Sequence, residues 1–71
     1  MQMSFYTFIK RFVDFDADDP MSRLANVVSK DIGFPKQSQD FHEVSSYMEH
    51  SEQYSRLMTV FDDAWLKYTN Q

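Results

Sequence analysis

Tyr54, Leu57, Met58, Phe61, Trp65 and Tyr68 follow one another at spacings of 3, 1, 3, 4 and 3 residues, and a similar rhythm recurs in three other segments of the chain. Apolar side chains so spaced fall on one face of a helix, and no stretch alternates apolar and polar residues long enough to make a half-buried strand. The chain is therefore expected to be all-α, a compact four-helix bundle. Phe5, Phe8, Ile9, Phe12 and Val13 mark a first helix, roughly residues 4–14, with Ser4 as its N-cap. Asp19-Pro20 opens a second, roughly 20–32, because the carboxylate can accept free first-turn amides and the missing proline N–H is not needed there. Met21, Leu24, Ala25, Val28 and Ile32 form its apolar face. Gly33, the one glycine, is expected in the left-handed position past its end, followed by Phe34 and the helix-stopping Pro35. Phe41, Val44, Tyr47 and Met48 mark a third helix, roughly 39–50, where Ser38 and Asp40 compete as N-cap and Glu43 can complete a capping box for Asp40. The fourth, roughly 52–69, is expected to start behind Ser51.

Seventy-one residues suffice for one domain spanning 1–71 and leave no room for a second. At roughly 0.05–0.15 kcal/mol per residue, such a chain should be stable by only about 4–10 kcal/mol. Aromatic residues make up 17% of it, and Phe5, Phe8, Phe12, Phe34, Phe41, Tyr47, Phe61 and Trp65 are expected to supply the core. There is no cysteine, hence no disulfide framework and no thiolate metal site. No apolar run reaches the length of a membrane span, and Lys10 and Arg11 interrupt the apolar N-terminal stretch with no small-residue cleavage site after it. These features predict a cytoplasmic protein with no membrane partner.

Little in the chain points to catalysis. His42, Ser45, Ser46 and Glu49 share one face of the third helix at three- and four-residue steps. A nucleophilic triad would also need an oxyanion hole and a cleft, which a single exposed helix does not provide, so the group reads as a solvated polar or protein-contact face. His42 and His50 are eight residues apart, about 12 Å along a helix, too far for one metal. Asp14, Asp16, Asp18 and Asp19 have a faint resemblance to a calcium loop but lack its glycine and its closing glutamate. One glycine cannot build a phosphate-cradling loop. No catalytic residue, no cofactor, no metal and no small-molecule substrate are expected.

A macromolecular partner remains. The net charge is −4, but it is uneven: residues 1–36 hold Lys10, Arg11, Arg23, Lys30 and Lys36 against five acidic residues, whereas 37–71 hold two basic against six acidic. The five cations are candidates for contact with DNA or with an acidic partner. Residues 20–31 and 39–50 also have the outline of a helix-turn-helix, although the second helix would meet phosphates with Asp40, Glu43 and Glu49 and no cation. The readings that follow are a small helical binding module, with DNA as one partner class, and a protein-protein or self-association module.

The stretches SFYTFIKRF (4–12), FPKQSQDFHEVSSYMEH (34–50) and MTVFDDAWLKY (58–68) resemble the YozE-like family of small bacterial proteins. The most specific pieces are FPK at 34–36, DFHEVSSY at 40–47 and FDDAW at 61–65, and together they span nearly the whole chain. The resemblance implies a four-helix fold similar to sterile-alpha-motif domains. It implies neither catalysis nor a cofactor, and brings no functional residues with it. A DNA-binding role drawn from this resemblance would rest on fold similarity alone.

Overall fold

Ser4 Oγ accepts the amide of Thr7 at 3.2 Å, and from that cap the chain enters α1, Phe5–Ile9. A computed structural model describes residues 2–70. After α1 come α2, Pro20–Lys30; α3, Phe41–Glu49; and α4, Met58–Thr69. Short 3-10 turns lie at Lys10–Phe12 and Glu52–Tyr54, and no strand occurs among the described residues. The fold is thus the expected all-α, four-helix arrangement. Its Cα radius of gyration, 11.0 Å, is that of a well-packed chain of this length, for which about 11 Å is expected.

The helix starts follow the local chemistry. Asp19 accepts the amide of Ser22 at 3.1 Å, with Pro20 at the first helical position. Asp40 rather than Ser38 caps α3, accepting the amide of His42 at 3.0 Å. The expected capping box with Glu43 does not form, because the Asp40 amide donates to Ser38 Oγ at 3.1 Å instead.

The helix ends differ from expectation, each for a tertiary reason. α1 tightens into a 3-10 turn and stops at Phe12 instead of running to Asp14. There the Asn26 side chain clamps the backbone of Asp14, accepting its amide at 3.0 Å and donating to its carbonyl at 3.1 Å. α2 ends at Lys30, so Ile32 leaves the buried face and stands 90% exposed. Gly33 does not adopt positive φ. What it provides is space: a Cβ there would lie 3.1 Å from Tyr47 Oη. α4 starts at Met58 rather than near 52, and Ser51 makes no side-chain cap bond. Residues 52–54 instead form a tight turn that carries the Tyr54 ring into the interior.

The core is one cluster centred on Phe5, which is fully buried. Its ring lies 5.1–6.2 Å from those of Phe8, Phe61, Trp65 and Tyr68. Leu24, Ala25 and Val28 of α2, Val44 and Met48 of α3, and Ala64 of α4 complete the floor. The expected core list needs amendment. Phe41 is 38% exposed, and Phe12, Tyr47 and Trp65 are only partly buried, whereas Tyr54 and Tyr68 are the largest fully buried side chains. A phenol buries as much area as a phenyl ring once its hydroxyl has a partner. Tyr68 finds the Met3 carbonyl, and Tyr54 finds Asp31.

Candidate functional site

Asp31, just past the end of α2, is a carboxylate with few free lone pairs. Tyr47 Oη donates to it at 2.7 Å, Tyr54 Oη at 2.8 Å, and the Gly33 amide at 3.1 Å. The Phe34 amide donates to the Asp31 carbonyl at 3.3 Å, closing a turn over 31–34. Phe34 itself is buried against Tyr6, Tyr47 and Tyr54. Beyond it, Lys36 Nζ donates back to the Ile32 carbonyl at 2.8 Å. The segment after α2 is therefore a turn tied down on both sides, not a loose connection.

This clasp was not legible as a site, yet two signals for it exist. An aspartate at the C-terminal end of a helix opposes the dipole there, so it needs another reason to be present. Tyrosines at 47 and 54 on apolar stripes need hydroxyl partners when buried. Both phenols are held above their usual value, Tyr47 chiefly by its bond to Asp31, and Tyr54 by burial first and Asp31 second. Burial raises Tyr68 as well. A raised folded pKa means that the unfolded chain loses these protons first. The stability they contribute is intact below about pH 10, the value for a free tyrosine, and is lost as pH rises above it. Thermal melts from pH 8 to 11.5 should show Tm falling from about pH 10 upward. Tyr54→Phe should flatten that fall, and an unchanged slope in the variant would contradict the assignment.

The five candidate cations divide into two groups. Arg23 is paired with Asp18 at 2.6 Å, and the Lys30 ammonium lies 4.8 Å from the centre of the Phe15 ring. With the Asn26 clamp on Asp14, these contacts strap the acidic loop along the outer face of α2. Lys10 and Lys36 instead share one ring: their ammonium groups lie 5.3 Å and 5.7 Å from the centre of that of Tyr6. Arg11 is exposed beside Lys10. None of these three pairs with a carboxylate among the described residues. Lys10, Tyr6 and Lys36 thus form a small cationic face bordered by the 31–34 turn.

The other sequence candidates stay apart. His42 and Ser46 are exposed on α3, and Ser45 Oγ donates to Glu49 at 3.4 Å. The His42 side chain makes no hydrogen bond to either serine. Nothing in this group indicates catalysis. Three carboxylates of the acidic loop are used internally: Asp14 accepts the Asp16 amide, Asp18 holds Arg23, and Asp19 caps α2. No cluster of three or more metal-ligating side chains occurs among the described residues. A groove of about 370 Å³ between the start of α2 and α4 is lined by Asp19, Met21, Val60, Asp63 and Lys67 among others. The helix-turn-helix outline does not hold, because residues 31–40 separate α2 from α3, far more than the 3–4-residue turn of that motif. No helix is long and apolar enough to cross a membrane among the described residues.

Comparison with known proteins agrees with the architecture. Residues 4–70 match the family described as the YozE SAM-like fold. The UPF0346 protein of Lactiplantibacillus plantarum is 47% identical over 68 residues, covering 96% of this chain and 93% of the relative. Those of Bacillus velezensis and Enterococcus faecalis are each 43% identical, with 96% of this chain covered and 92% and 93% of the relatives. No solved structure matches significantly. End-to-end matches at this identity, on a chain whose four helices pack around the predicted aromatic residues Phe5, Phe8, Phe34 and Phe61, show that it belongs to the UPF0346 family of YozE SAM-like proteins.

Proposed function

We propose that the protein is a single-domain, non-catalytic binding module that presents the Lys10–Tyr6–Lys36 face to an acidic segment of another protein. The observation that carries this reading is the sharing of one tyrosine ring by two ammonium groups, neither paired with a carboxylate among the described residues. An incoming carboxylate would meet two positive charges that no carboxylate of the chain compensates, which favours an acidic partner. DNA is the poorer fit. Arg23 is taken up by Asp18, and Lys10, Arg11 and Lys36 match the few charges of a short acidic segment rather than the roughly 6–10 phosphates that a duplex-binding protein contacts.

Fluorescence anisotropy with labelled poly-L-glutamate of about 20 residues and a labelled duplex of about 20 base pairs, in about 50 mM salt, tests the choice. Saturable binding of polyglutamate is expected, about tenfold weaker in the Lys10→Glu/Lys36→Glu variant and weaker again as salt is raised. Duplex binding tighter than polyglutamate binding, or polyglutamate binding indifferent to the double variant, would overturn the reading.

A further inference from the structure

Ile32 is the most exposed of the large apolar side chains, at 90%. An exposed aliphatic residue on a loose loop means little. Ile32 differs because everything around it is fixed. The residue before it, Asp31, is gripped by Tyr47, Tyr54 and the Gly33 amide. The 31–34 turn is closed by the Phe34 amide, and the buried Phe34 ring anchors its far side. The carbonyl of Ile32 itself accepts Lys36 Nζ. Turn positions favour Gly, Pro, Asn, Asp and Ser, each for its backbone or its side-chain hydrogen bond, and isoleucine offers neither advantage. Its burial contributes nothing to folding here. A β-branched side chain, stiff at χ1, on a backbone tied down on both sides loses little freedom when a partner covers it, which is the property of a binding anchor.

The same ammonium group joins Ile32 to the cationic face. Lys36 Nζ lies 2.8 Å from the Ile32 carbonyl and 5.7 Å from the centre of the Tyr6 ring, whose other cation is Lys10. We infer that the partner of this face is an acidic protein segment that also carries a large apolar side chain, and that Ile32 is the residue that meets it. The inference rests on the acidic-partner reading and deepens it, since charge alone gives no reason for the isoleucine. A phosphate backbone would satisfy the lysines and leave Ile32 uncovered; an acidic segment with an aliphatic residue satisfies both.

Two labelled peptides of about 12 residues serve as probes, one of glutamate only and one with two of the glutamates replaced by leucine. The leucine-containing peptide is expected to bind about tenfold more tightly, the gain from covering a few methylene groups. Ile32→Ala should abolish that gain and leave affinity for the glutamate-only peptide unchanged, while Ile32→Leu should keep most of it. Leu66, which is 60% exposed on α4, is the control for general stickiness, and Leu66→Ala should change nothing. Because Ile32 is held in solvent, its variants should melt with the wild type. Equal affinity for the two peptides, a gain that survives Ile32→Ala, or a gain lost equally in Leu66→Ala would overturn the inference and leave the acidic-partner reading standing. Failure of both peptides to bind, or binding of a duplex alone with no dependence on Ile32, would overturn both.

Discussion

Phe5→Ala should destabilise the protein by about 3–5 kcal/mol, enough to unfold most of it if the total is about 4–10 kcal/mol. Phe5 is fully buried and its ring contacts four others, contributed by α1 and α4. Truncation removes the area these rings bury against it and leaves a cavity that stiff aromatic neighbours cannot collapse to fill. Phe61→Ala should cost about as much, since that side chain is equally buried. Trp65→Ala should cost distinctly less, although its ring packs 5.1 Å from that of Phe5, because Trp65 is only partly buried. Urea melts of the three variants give the ordering. A loss under 1 kcal/mol for Phe5→Ala, or a larger loss for Trp65→Ala than for Phe5→Ala, would contradict the core assigned here.

Asp31→Ala should cost about 2–3 kcal/mol, a large effect for an aspartate at a helix end. The Tyr54 hydroxyl is buried and Asp31 is its acceptor, so the substitution strands a polar group in the interior rather than merely removing a surface bond. Tyr47 and the Gly33 amide lose their acceptor at the same time. Tyr54→Phe should cost less, because it removes donor and hydroxyl together and leaves Asp31 with two other partners. In the Asp31→Ala/Tyr54→Phe double variant the losses should not add, the signature of a shared interaction. Strict additivity in a double-mutant cycle, or a loss below about 0.5 kcal/mol for Asp31→Ala, would show that the clasp does not hold the 31–34 turn.

The contrast between helix starts and helix ends shows what a sequence of this kind discloses. Ser4, Asp19-Pro20 and Asp40 act on amides two or three residues away, so their role is written locally and the structure bears it out. Ile32, Gly33 and Ser51 depend on bonds that close over distance. Asp31 meets Tyr47 and Tyr54 across 16 and 23 residues of chain, and those contacts stop α2 early, expose Ile32 and draw residues 52–54 into a tight turn. No local rule contains them. The candidate cations show the same division. Lys10, Arg11, Arg23, Lys30 and Lys36 are plain from charge alone, but nothing in their spacing shows that Arg23 closes on Asp18 while Lys10 and Lys36 share the ring of Tyr6. Resemblance to the YozE-like proteins carried the fold correctly and carried no site, since the family brings no functional residues with it.

An NMR titration tests the central claim most directly. Amide shifts of the ¹⁵N-labelled protein would be followed as polyglutamate is added. Tyr6, Lys10, Arg11, Ile32, Gly33, Phe34 and Lys36 should move together along one saturable curve, with α3 and the outer face of α4 unchanged. Shifts concentrated on His42, Ser45, Ser46 and Glu49, or a spectrum that does not change at millimolar peptide, would contradict it.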